Sequence, residues 1–436
     1  MNSRITRIIS AVIAVITTAA ILAGCAGNEV VNTKAVRQVK TEAHAMQVNY
    51  EAMQAPINEA DFAFNLGNKL IADVRDTDNF VCSPLSVWLP LAALVNATDA
   101  EHKPALLDAL GAAGVTEQQI NDYSQMLLYR VTGEGNKKYE KNYISPLKIA
   151  NALFVSQNET IRQSFAQTFA DNYLGAMFNV DFSSKQAVDA INEWASDNTD
   201  GLIQNVVDSF DSETVAAIAN AIYYSDRWDW EFDESETKTD VFHAASGDVT
   251  ADFMIREGDA QVYYEDDRVQ AMPLSFKNGG NMWIIMPKDG TANDLYSSMT
   301  ADCYGEIVSG SVSCTGKLLL PKFEITGDTF DLKDALIAIG VPLFDREAAP
   351  LTSGLIDSDI PVWVDAAVQK AMIKVDEKGT TAAAVTVIAM AGAGMPIPTE
   401  PFEMVCDKPF IFVLESYGQV LFTGVVNNPA DVPLSK

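Results

Sequence analysis

The chain has 436 residues, 48% of them hydrophobic, and 59 acidic against 30 basic side chains give a formal net charge of −29. A polyanion of this size gains nothing by displacing counterions from phosphate backbones or sulfated glycans, which argues against nucleic acid and heparin-like partners. The apolar fraction supplies ample core, and beyond the first residues no segment is apolar for long enough to span a bilayer.

Arg4 and Arg7 give the N-terminus a positive start, Ile8 to Leu22 is almost wholly apolar, and Leu22-Ala23-Gly24-Cys25 follows. This is the pattern of a bacterial signal peptide, and its last four residues resemble the lipobox cleaved by lipoprotein signal peptidase. Residues 1–24 are expected to be removed and Cys25 to be acylated. The product would be an exported lipoprotein of the bacterial cell envelope, touching the membrane through its lipid anchor only. Residues 25–56, rich in Val, Lys, Glu, Gln and Ala, show no apolar cluster and read as a tether. From 57 to 436 no Pro/Gly/Ser-rich linker, charge block or repeat divides the chain, so one large domain is expected.

Within that domain Asn58-Glu59-Ala60-Asp61 caps a helix with Phe62, Leu66, Leu70, Ile71 and Val74 at helical spacing, and Ser83-Pro84 opens a second. Ala150 to Val155 reads as a strand, Arg162 to Leu174 and Val188 to Thr199 as helices, and Ala216 to Tyr224 as a buried strand or helix. Strands then dominate: Gln261-Tyr264, Val269-Ser275, Met282-Met286, Gly316-Phe323, Val368-Val375, Phe410-Glu415 and Val420-Val426. The order is α+β rather than repeated βαβ.

Chemistry-bearing clusters are scarce. Only His44, His102 and His243 are present, and none accompanies a nucleophile elbow, a zinc-protease helix or a phosphate-binding loop. Cys82, Cys303, Cys314 and Cys406 lack metal-site spacing; Cys82 reads as core packing, and whether Cys303 and Cys314 pair stays open. No catalytic, metal or cofactor site is expected, and the chain does not read as an enzyme.

The connection between the strands ending at Val375 and starting at Phe410 is far longer than the usual few residues. From Gly379 to Met395 it carries neither charge nor proline, while Asp376, Glu377 and Lys378 precede it and Pro396, Pro398, Glu400 and Pro401 follow. Small, β-branched and apolar side chains with every backbone donor intact suit the middle of a sheet better than an exposed loop. A disordered Ala-rich loop or a hairpin would share this composition.

Several blocks in order resemble the serpins, over essentially the whole of Ile57 to Pro429. They are Asn79-Phe80-Val81-Cys82-Ser83-Pro84-Leu85-Ser86, Asn151-Ala152-Leu153-Phe154, Asn220-Ala221-Ile222-Tyr223-Tyr224 through Trp228 and Phe232 to Phe242-His243, and Leu320-Pro321-Lys322-Phe323. Asp376-Glu377-Lys378-Gly379-Thr380, Lys408-Pro409-Phe410-Ile411-Phe412 and Leu421-Phe422-Thr423-Gly424-Val425-Val426-Asn427 complete the set. The resemblance implies the serpin fold, with about nine helices and three β-sheets and an exposed reactive-centre loop. It also implies the serpin mechanism: a serine protease attacks a bait bond, forms an acyl-enzyme, and is carried across the molecule as the cleaved loop inserts into the large sheet.

On this resemblance the hinge is Glu377, Lys378, Gly379, Thr380, Thr381, Ala382, Ala383, Ala384, Val385 and Thr386, with Thr380, Ala382, Ala384 and Thr386 on one face after insertion. Thr381 stands where the family often has Glu, and Val385 is larger than the usual Ala; neither adds a buried charge. The sheet-opening region is assigned to Ser83, Ser86, Asn220, Trp228 and Gln369, the last replacing a common histidine. Counting forward from the hinge puts the bait bond at Ala393-Gly394, beside Met395; counting back from Pro409 lands near Pro398, so the window is about Ala391 to Pro398. With no Lys or Arg from Gly379 to Cys406, the expected targets are elastase-, chymotrypsin- or subtilisin-like serine proteases, with papain-like cysteine proteases a second class. The molecule is expected to be a monomer, and the main rival reading is a non-inhibitory binding protein on the same fold.

Overall fold

The computed structural model describes residues 36–42, 44–134, 145–199, 201, 207–210, 214–326, 330–380 and 401–430. The hinge residues Thr381, Ala382, Ala383, Ala384, Val385 and Thr386, the bait residues Ala393, Gly394 and Met395, and Cys25 lie outside them.

Strands of continuous apolar sequence become the buried centre of a nine-stranded sheet. Its order is β17 (Phe402–Val405), β11 (Val312–Pro321), β8 (Gly247–Glu265), β9 (Val269–Ser275), β10 (Asn281–Pro287), β18 (Phe410–Ser416), β19 (Gln419–Val426) and β2 (Phe80–Cys82), with β7 (Lys238–Ala244) beside β8. Every residue of β18 and β19 is buried. The six-stranded sheet runs β1 (Val36–Gln38), β4 (Gly175–Val180), β3 (Leu147–Ser156), β5 (Ala216–Tyr224), β14 (Ala366–Gln369), β13 (Phe330–Asp331). A short four-stranded sheet joins β12 (Phe323–Thr326), β15 (Met372–Asp376), β16 (Gly379–Thr380) and β6 (Asp226–Arg227). Helix and sheet are thus mixed as α+β, in three sheets.

Helices line up with their sequence signals. The first, Glu59–Ile71, starts at Asn58, whose amide donates to Asp61 rather than capping the backbone. Thr116 and Gln119 form a capping box at the start of Glu117–Val131. Helix Pro84–Leu94 is buried on all sides, which its uniformly apolar sequence requires, and it packs against both β5 and β19. Gln163–Tyr173 and Lys185–Asn198 form close to the expected positions. The second of these covers a satellite cluster of Phe154, Phe178, Val180, Ile191, Ala217 and Ala219 on the outer face of the six-stranded sheet.

Four expectations need correction. The tether is not one from Val36 onward: β1 pairs antiparallel with β4, Val36↔Val180 to Gln38↔Phe178, and Val36 is 6% exposed. Beyond β1, the chain exchanges bonds with helix Gln163–Tyr173, Glu42 N donating to Gln167 Oε1 at 2.9 Å and Gln163 Nε2 donating to Lys40 O at 2.9 Å. Gln47 N then donates to Gln125 Oε1 at 2.8 Å, and Tyr50–Gln54 forms a 3-10 turn against Glu117–Val131. The segment lacks an apolar cluster of its own because it completes one built by others. Val368-Val375 is two strands, β14 and β15, broken at Lys370-Ala371, and Gly316-Phe323 likewise divides at Lys322. Gln261-Tyr264 is only the end of the long β8. Cys303, half-buried on a helix, and Cys314, buried in β11, form no disulfide with each other, and Cys82 is core, as read.

Candidate functional site

The six-stranded sheet is open along its middle. β5 pairs with β3 over its whole length, Leu147↔Tyr224 to Val155↔Ala216. On its other edge β14 joins it, in parallel, only at Ala366↔Ala217 and Ala367↔Ile218. Beyond that point the chain leaves β5, and β15 pairs instead with β12 and β16. Among the described residues no strand therefore pairs with Ala219 to Tyr223 on that side. A row of backbone groups without a strand partner is a ready template for one more strand.

The top of this slot is closed by the start of the hinge. The chain turns at Asp376 to Gly379 and comes back as β16, with Val375↔Thr380 and Asp376↔Gly379 on one side and Gly379↔Arg227 and Thr380↔Asp226 on the other. Gly379 and Thr380, assigned to the hinge from the sequence, thus lie in the strand position between β15 and β6. Gly379 has φ +149°, and a Cβ there would sit 2.1 Å from Asp226 O, so no other residue fits without displacement. Thr380 is 1% exposed, and Asp226 N donates to its hydroxyl at 3.3 Å.

Trp228 pins this turn. Its indole donates to Asp376 O and its backbone N–H to Lys378 O, both at 2.9 Å, and Phe232 N donates to Glu377 O at 2.9 Å. The ring stacks on Phe276 with centroids 4.5 Å apart. Glu377 accepts from the Thr237 hydroxyl at 2.8 Å and pairs with Lys322 at 3.2 Å. Partial burial pushes the Glu377 carboxyl up, but its own backbone N–H, Thr237 and Lys322 outweigh this and hold it below the usual range. Asp226 is pushed the other way by burial, although Asn278 donates to it twice, from N at 3.0 Å and Nδ2 at 2.8 Å.

Lower in the slot, where β14 parts from β5, Gln369 holds the opening. Its Oε1 accepts from Ser83 N at 3.0 Å, and its Nε2 donates to Ser83 O at 2.7 Å and Ser86 Oγ at 2.6 Å. Ser83 Oγ donates to Leu421 O at 2.6 Å, tying this lock to β19. All three side chains are buried. Asn220 is not bonded to Gln369: its Nδ2 donates to Asn151, and its buried Oδ1 has no partner among the described residues. Ser86, Asn220 and Gln369 instead share the wall of a cavity of about 20 Å³, room for about one water.

Of the residues assigned from sequence, Ser83, Ser86 and Gln369 are thus joined directly, Asn220 faces them across a cavity, and Trp228, Glu377, Lys378, Gly379 and Thr380 form a second cluster at the top of the slot. Lys322, Thr237, Asp226 and Asn278 were missed as functional residues. Lys322 lay inside a recognised block, but its partner Glu377 is far along the chain and nothing local signals the pair.

A family model described as serpin, serine protease inhibitor, matches residues 58–429. The chain belongs to the serpin family. A serpin-like protein of Thermococcus kodakarensis is 28% identical over 87% of this chain and 88% of its own length. Alpha-1-antiproteinase of Rattus norvegicus is 28% identical over 85% and 88%. Among solved structures, Serpin48 of the insect Tenebrio molitor is 26% identical, with TM-score 0.73 over 87% of this chain and 98% of that one. Thyroxine-binding globulin in complex with thyroxine, 22% identical with TM-score 0.72 over 86% and 98%, shares the fold. Serpins are protease inhibitors rather than enzymes, and among the described residues of this one β14 meets β5 only at Ala366↔Ala217 and Ala367↔Ile218.

Proposed function

We propose that this serpin is a suicide-substrate inhibitor of serine proteases that works by inserting its cleaved loop between β5 and β15. The single observation that carries the reading is β16, which seeds the inserted strand and fixes its register. Extending Gly379↔Arg227 and Thr380↔Asp226 down β5 brings Ala382, Ala384, Thr386, Ile388 and Met390 opposite Tyr224, Ile222, Asn220, Ile218 and Ala216. Tyr224, Ile222, Ile218 and Ala216 all face the main core. The set thus comprises two alanines, a threonine opposite the polar Asn220, and two larger apolar residues at the lower end. Thr381, Ala383, Val385, Val387 and Ala389 take the other face, towards the cluster under helix Lys185–Asn198, so the larger Val385 does not enter the main core. Neither face carries a charge. Ten or so added backbone hydrogen bonds, at about 1 kcal/mol net each, supply on the order of 10 kcal/mol before any apolar burial.

The apolar window from about Ala391 to Pro398 supports elastase-, chymotrypsin- or subtilisin-like targets, with papain-like cysteine proteases next. The signal at Leu22 to Cys25 supports an exported lipoprotein of the cell envelope, acting as a monomer without cofactor. A carrier role is the rival, since thyroxine-binding globulin has this fold. Incubation with a pancreatic-type elastase separates the two readings. A covalent complex that survives boiling in SDS, with a released peptide beginning after Ala391 to Pro398, supports inhibition. Clean turnover without complex, or a cut N-terminal to Ala389, sinks it.

A further inference from the structure

The corrected course of residues 36–56 bears on where the membrane lies. β5 runs from Ala216 at one end of the six-stranded sheet to Tyr224 at the other, where β6 meets the hinge. β3 is antiparallel to it and β4 parallel to β3, so Ser156 and Val180 lie at the Ala216 end, about 30 Å from the hinge for a nine-residue strand. β1 begins at Val36 opposite Val180, so the chain arrives at the sheet from that same far end. It is then held there by Val39 N donating to Met177 O at 2.8 Å and by the bonds from Lys40, Glu42 and Gln47 to the helices.

We infer that a lipid surface faces the end of the six-stranded sheet that carries Val36, Ser156 and Val180, and that the hinge end points away from it. This rests on acylation of Cys25, read from the lipobox. Only Ala26 to Ala35 then separate the lipid from the folded body, and ten residues span at most about 35 Å when fully extended. A tether over the whole of 25–56 would reach roughly 100 Å and leave orientation free. The anchor therefore keeps the bait end, where a protease must dock, on the side open to solvent. In the register of β16 the inserted segment ends beside Ala216, so the same geometry carries a trapped protease towards the bilayer.

The test uses the full lipidated chain in vesicles of phosphatidylethanolamine and phosphatidylglycerol with an acceptor dye on the headgroups. Cys303→Ser removes the half-exposed thiol, and a donor dye is placed either at Asn158→Cys, in the exposed turn after β3, or at Ser235→Cys, exposed beside the hinge turn. Energy transfer is expected to be at least about twofold higher from position 158 than from 235, given their separation along the sheet. Inserting a flexible twenty-residue segment between Gly27 and Asn28 is expected to abolish the difference. Equal transfer in the unlengthened chain, or the reverse order, overturns the proposal. Failure to join vesicles, with the covalent elastase complex intact, overturns it through Cys25 and leaves the inhibitory reading standing.

Discussion

Gln369 is the side chain on which the lower slot depends, because its two ends satisfy both backbone groups of Ser83 and the Ser86 hydroxyl at once. An amide does this without a titrating group, so loop-insertion rates are expected to stay level across about pH 6 to 7. Gln369→His should introduce a pH dependence there, measurable as the rate of complex formation against pH; a wild-type rate that changes several-fold in that range contradicts the account. Gly379→Ala meets Asp226 O at 2.1 Å and is expected to lower stability by about 1–3 kcal/mol and to slow insertion, read from denaturant midpoints and stopped-flow fluorescence of Trp228. Glu377 is held below its ordinary range in the folded state, so its contribution is present above the unfolded value near pH 4 and is lost as pH falls through the lower folded one. Glu377→Gln should therefore cost about 1 kcal/mol at pH 7 and nothing once both forms are neutral, near pH 2. An equal cost at both pH values would remove Lys322 from the account.

At the scale of elements, apolar runs and helix starts were legible because local physics sets them: Pro84 at a helix start and the uninterrupted apolar strand from Phe410. The break between β14 and β15 was not, since no proline or glycine marks Lys370-Ala371; it arises because β14 follows β5 while β15 follows β12. The misread 36–56 segment has the same cause. Its partners are a sheet edge and two helices distant in sequence, so its own composition looks like linker. Val36 closes the edge of β4, and Val36→Asp would bury a charge against Phe154 and Phe178. A loss of about 1–3 kcal/mol is expected, with unchanged chemistry at the loop. A variant as stable as the parent in urea would show that β1 is not held there.

Over the whole molecule, one strand position in the six-stranded sheet is unfilled among the described residues, and the sequence carries an uncharged segment directly after Gly379 and Thr380. That segment was legible from composition, and the direction of entry and facing proposed for it rest on the pairing of β16. The slot, its seed and the lock at Gln369 together describe a protein whose stability should rise when its loop is cut. The most direct test is calorimetry of the purified chain before and after a single cleavage between Ala391 and Pro398 by a protease it does not trap. Filling the slot predicts a rise in Tm of about 10 °C or more, from on the order of 10 kcal/mol or more of added stability. A cleaved chain that melts at or below the temperature of the intact one would contradict insertion.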